Sequence, residues 1–196
     1  MSSSEPRQNE TFEQRIQRVV REEISIVPYD SNWPAMFRQE KEHLVGCLPK
    51  ELIRRIEHFG STAVPCLSAK PIIDILVEVT SIEQTKEKIV PVLESQGYEY
   101  FLRPSVFKGQ PFYVWFIKRN SAGARTHHIH MLESCIEHSD ELLFRDHLIE
   151  HPQTATEYQA LKLRLVKLYP NDREAYTKAK TDFILKVTAE AKRSYT

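Results

Sequence analysis

The stretch from His58 to Val79, "HFGSTAVPCLSAKPIIDILVEV", decides how this chain is read. It opens as the end of a strand, "RRIEHFG", and breaks into a turn of small residues at Gly60-Ser61-Thr62. It closes as a second strand, "PIIDILVEV", in which Ile72, Ile73, Ile75, Leu76 and Val77 surround one acid, Asp74. A nearly continuous apolar run of this length reads as a strand buried on both faces. A carboxylate inside it must be ion-paired, hydrogen-bonded or metal-bound, because burying it bare costs several kcal/mol. The turn offers backbone N–H groups at a glycine, where no Cβ blocks an approaching anion. A short helix starting at Ser61 would add its positive end and make the turn a phosphate cradle. A plain tight turn, with Ser61 capping that helix, explains the same residues.

Working outward, the chain is expected to be α+β. Residues 1 to about 11 are polar and read as a disordered tail, and 12–23 as a short amphipathic helix. A helix is expected over about 34–47, capped by Asp30 or Ser31 and presenting Met36, Phe37, Leu44 and Val45 to a core. Another is expected over 81–96, with Ser81 as its cap, Pro91 as a kink and Gly97 as its C-terminal stop. "YEYFLR", "FYVWFIKR" and "THHIHMLE" alternate as three strands. From Ser139 onward three helices follow: "SDELLFRDHLIEH", "TATEYQALKLRLVKLYP" and "DREAYTKAKTDFILKVTAEAKR".

In "RTHHIHM", His128 and His130 share one strand face while Ile129 and Met131 share the other. Two histidines on one face suit a metal, a phosphate or proton transfer, and they also suit an ordinary polar sheet face. Lys70, Arg103, Arg119, Arg125 and Arg145 are the cations within reach of such a site. The charged run around Tyr176, Lys178 and Lys180 reads as a solvated helical face.

The 27 Lys and Arg balance the 27 Asp and Glu, so nothing in the composition argues for general nucleic-acid or membrane binding. Cys47, Cys66 and Cys135 are widely spaced and odd in number, which gives neither a disulfide framework nor a zinc ribbon. Free thiols, a polar N-terminus and no long apolar stretch lead to the expectation of a cytoplasmic protein.

Five segments in order, "IVPYDSNWPAMFRQEK", "EHFGSTAVPCLSAKPIIDILVEV", "HHIHMLE", "FRDHLIEHP" and "YTKAKTDFI", resemble the GrpB family. That family is itself similar to minimal nucleotidyltransferases of the polymerase-beta type. The resemblance spans about residues 24–187. It implies a nucleotidyltransferase-like mixed β-sheet flanked by helices, with C-terminal helices. On it, residues 1–23 are an N-terminal extension and 24–196 one domain, helical from about 139.

The resemblance also implies a metal-dependent nucleotidyltransferase acting on a nucleoside triphosphate and a small-molecule or protein acceptor. Asp74, His128 and His130 would be the catalytic and metal-holding residues. Gly60, Ser61, Thr62, Lys70, Arg103, Arg125 and Arg145 would bind the nucleotide. The cofactor would be a divalent ion, magnesium or manganese, with zinc as an alternative. The expected partner is a nucleotide or phosphorylated small molecule; a non-catalytic binding module or a phosphohydrolase are the alternatives. The family pattern of paired acids is incomplete here, because Ile72 and Leu76 stand on either side of Asp74 at the paired spacing. Glu78 lies roughly 13 Å further along the strand.

Overall fold

The computed structural model describes residues 10–104, 112–133, 135–137 and 139–194. The tail expected over residues 1 to about 11 falls mostly outside these. Helix α1 (Phe12–Arg21) is held by a capping box in which Thr11 and Gln14 satisfy each other's backbone N–H groups. Helix α2 (Trp33–Cys47) starts one residue earlier than expected. Its N-cap is Asn32, with no side-chain bond; the Asp30 carboxylate instead accepts from the Asn32 N–H and forms the preceding turn. Trp33, Glu40 and Leu44 are its buried positions, whereas Val45 faces solvent.

Five strands follow: β1 (Ile53–Phe59), β2 (Ile73–Val79), β3 (Glu99–Pro104), β4 (Phe112–Arg119) and β5 (Arg125–Leu132). They form one mixed sheet in the order β1-β2-β5-β4-β3. Only β2 and β5 run parallel; the other neighbours are antiparallel. Between β2 and β3 the chain is helical over α3 (Ile82–Gln84), widens into a π turn over Thr85–Ile89, and resumes as α4 (Val90–Ser95). The expected kink at Pro91 is therefore a restart. Pro91 sits at the first turn of α4, where its missing N–H costs nothing.

The C-terminal part comprises α5 (Asp140–Glu150), α6 (Pro152–Leu168), α7 (Arg173–Lys178) and α8 (Thr181–Ser194). The single last helix read from the sequence is broken at Ala179-Lys180, and this break carries Lys180 inward.

One sheet face packs on α2 and α4 through Ile73, Ile75, Val77, Phe116, Ile129 and Met131. The opposite face carries Leu76, Phe101, Trp115, Ile117 and Leu132, closed by Val19 of α1 and Leu142 of α5. The C-terminal helices pack on the turn after β1, where Val64 and Leu67 meet Phe144, Leu148, Tyr158 and Val187.

Candidate active site

Strand alternation puts Asp74, Leu76 and Glu78 on the α1/α5 face. The parallel register sets Asp74 beside His128 and Leu76 beside His130. Asp74 Oδ1 and His128 Nδ1 are 3.1 Å apart. Arg125 Nη1 lies 3.3 Å from the other ring nitrogen, Nε2. A guanidinium only donates, so Nε2 must accept and the proton sits on Nδ1, which donates to Asp74. Arg125 is fixed in turn by an ion pair with Glu22 and a bond to the Val19 carbonyl.

Gly60 forms the wall facing Asp74. Its φ is +73°, and a Cβ there would lie 2.7 Å from Asp74 Oδ2. Only glycine allows this backbone so close to the carboxylate. The expected helix after it is a single 3-10 turn, Ser61–Ala63, so no helix dipole adds to the cradle. Ser61 faces the Tyr158 hydroxyl of α6. Thr62 points away from the site: its hydroxyl bonds the Ile72 carbonyl and His58 Nε2.

Asp74, His128 and His130 each offer a ligand atom within 4.8 Å of the others. Burial disfavours the Asp74 charge, but the His128 hydrogen bond and the Lys70 field override it and hold the carboxyl well below the usual range. Burial pushes His128 down to about 4 and His130 to about 3, against the opposing pull of Asp74. At neutral pH the trio is therefore one carboxylate and two neutral imidazoles. That is the protonation a divalent metal requires of its ligands. Two donors at right angles on a metal with bonds of about 2.1 Å lie roughly 3 Å apart, close to the Asp74–His128 separation. The donor set thus fits one divalent ion; to bind it through Nδ1 a neutral His128 carries its proton on Nε2, and the Arg125 N–H turns away from that nitrogen.

The second acid of a two-ion site is missing in space as well as in sequence. Ile72 and Leu76 are buried among apolar groups. Glu78 accepts from the Ile136 N–H and faces Arg54, so it organises the segment after β5.

The cations around the trio differ from the set read from the sequence. Lys70 and Arg103 are close enough to act on the site electrostatically, Arg103 lying 5.1 Å over the Trp115 ring. Arg145 pairs with Glu57 and Asp146 and bonds the His58 carbonyl through Nε and Nη1, so those donors are taken within the protein.

Two further lysines belong here: Lys180, which the sequence reading left to solvent, and Lys162, which it did not single out. Lys162 of α6 is buried, bonds the Ser68 carbonyl and stacks over the Tyr158 ring. Lys180, at the α7–α8 break, lies 4.6 Å over the Tyr176 ring. Burial, and then the neighbouring lysines, push both amines down to about 7. Lys70, Lys162 and Lys180 repel one another, and Asp74 is the carboxylate that offsets them. The one signal in the sequence was the apolar residues interrupting the charge run, as in "YTKAKTDFI".

A GrpB protein family model matches residues 23–190, so the chain belongs to the GrpB family. A UPF0157 protein of Pseudomonas aeruginosa is 38% identical over 169 residues, which are 86% of this chain and 67% of that protein. The UPF0157 protein YqkA of Bacillus subtilis is 37% identical over 173 residues, 87% of this chain but only 48% of the relative, so the chain spans about half its length. Among solved structures, the conserved protein GrpB from Enterococcus faecalis superimposes with a TM-score of 0.74 at 34% identity, covering 87% of this chain and 99% of that one. Among the described residues no helix is long and apolar enough to cross a membrane.

Proposed function

We propose that the protein transfers a nucleotidyl group from a nucleoside triphosphate to a hydroxyl acceptor, using one divalent ion held by Asp74, His128 and His130. The observation that carries this reading is the pairing of a neutral two-histidine, one-carboxylate trio with three mutually repelling lysines at its edge. A triphosphate supplies the charge that Lys70, Lys162 and Lys180 lack. The Gly60–Ser61 backbone is the approach left open for it.

Bound there, the ion would polarise the phosphate oxygens and offset charge building on the leaving group. Two imidazoles favour manganese or zinc over magnesium. The acceptor oxygen forms a bond to the α-phosphorus, the bridge to the β-phosphate breaks, and pyrophosphate leaves; the hydroxyl proton passes to solvent. The low proton affinity of His128 and His130 suits them to the ligand role rather than to general base catalysis.

The test is pyrophosphate release from each nucleoside triphosphate with Mg²⁺, Mn²⁺ or Zn²⁺, run beside calorimetric metal binding. Turnover that needs the ion and vanishes in His130→Ala together with ion binding is expected. Nucleotide binding that ignores the metal, with no pyrophosphate formed, would sink the enzyme reading and leave a binding module.

A further inference from the structure

A cavity of about 470 Å³ opens on the far side of Arg125 from His128, between the end of α1, the Lys70–Ile72 segment, the β4–β5 turn and Arg173 of α7. This lies within the roughly 300–1,000 Å³ common for small-molecule sites. Five cations line it against two carboxylates, Glu22 and Glu23. The carboxylates are unevenly shared. Glu22 is consumed by Arg119 and Arg125, and Arg18 pairs with Glu10 and Glu99. Among the described residues Arg173 donates to the backbone carbonyls of Glu22 and Glu23 and forms no ion pair, so only the more distant fields of Glu22 and Asp74 offset its charge. Lys70 makes no hydrogen bond or ion pair among the described residues. The positive excess therefore sits at Lys70 and Arg173, on the side nearest Asp74. Among the described residues no aromatic ring lines the cavity, so they offer no stacking platform for a nucleobase.

We propose that this cavity is the acceptor subsite, and that it takes a small alcohol carrying a phosphate or carboxylate. The anionic end lies between Lys70 and Arg173. Because Lys70 and Arg125 border both the cavity and the Asp74 trio, a hydroxyl on the same molecule has a short path to the transferred phosphorus. The field of Arg125 and Arg119 lowers even the Arg173 guanidinium, to about 10, after burial. The assignment rests on the nucleotidyl-transfer reading for the hydroxyl's role, though not for the anion's binding.

Glycerol 3-phosphate is the probe, titrated by calorimetry into the full chain saturated with Mn²⁺ and a non-hydrolysable ATP analogue. Saturable binding is expected. Ser25 lines the cavity and is exposed, so Ser25→Glu adds a negative charge without disturbing packing. It should weaken glycerol 3-phosphate by more than about tenfold and leave the analogue's affinity unchanged. Lys180→Gln should do the reverse. If glycerol 3-phosphate and inorganic phosphate both fail to bind, or if Ser25→Glu weakens the analogue equally, the cavity is not a separate acceptor subsite. If the analogue never binds while glycerol 3-phosphate binds in a Ser25→Glu-sensitive way, the cavity assignment stands and the nucleotidyl reading falls.

Discussion

The two faces of the sheet bury charge in opposite ways. On the α2 side, Glu40 is 2% exposed and is closed off by the Tyr98 hydroxyl and the Lys118 ammonium. Donors and acceptors match there. On the α1/α5 side, Asp74 stays partly exposed and lies in the field of Lys70, Arg173 and Lys180. Buried charge therefore does not mark a site by itself; an imbalance among the partners does. A matched set adds to stability, whereas an unmatched one lowers it until a ligand of opposite charge arrives.

The sharpest way to break this contrast is to remove the acid from each face. Asp74→Asn should cut turnover by at least about a hundredfold, more than loss of an outer partner usually costs. Its Tm should fall less than that of the Glu40 variant and recover in phosphate buffer, since the freed lysines can take an anion. Glu40→Ala should leave turnover per folded molecule intact while costing about 2 kcal/mol of stability in urea denaturation, because Tyr98 and Lys118 lose their acceptor. Reversed outcomes for the two variants would erase the distinction between the faces.

A smaller effect runs the other way. Lys180→Gln removes an uncompensated buried cation, so the ligand-free protein should melt higher while its nucleotide affinity falls by about tenfold. Fluorescence melting with and without ATP reads both. The smallest effect is on pH. Folding lowers Lys162 and Lys180 to about 7, so above that the unfolded chain holds more protons than the folded one. Stability from these two groups should therefore rise with pH between about 7 and the unfolded lysine value near 10.4. A polyanion restores their protons, so ATP binding at pH 8 should take up protons, seen as a buffer-dependent calorimetric heat, with less uptake in Lys180→Gln.

Much of the site was legible because it obeys short-range rules. Period-two alternation paired His128 with His130, and the apolar run made Asp74 conspicuous. Gly60 next to Ser61 marked a turn, although the turn proved too short to be a helix. What failed was longer in range. Nothing local says that β5 inserts beside β2, yet that pairing places Asp74 against His128. The pairing of Arg145 was equally hidden, because Glu57, its partner, is 88 residues away. Lys180 looked solvated because a helical charge run gives no sign of which cation will be folded under, and nothing local singled out Lys162.

The strand order has a consequence for synthesis. β5 is the central strand, inserted between β2 and β4, although it is made last of the five. A ribosome that has released Asp74 must still produce His128, and then Lys162 and Lys180, before the parts meet. Such distant closures are slow relative to local helix formation. The nascent chain thus carries the carboxylate through another 54 residues of synthesis before the first of its partner imidazoles is made. The joining of carboxylate and imidazoles becomes a late step, reached only by chains whose sheet has closed in the right order.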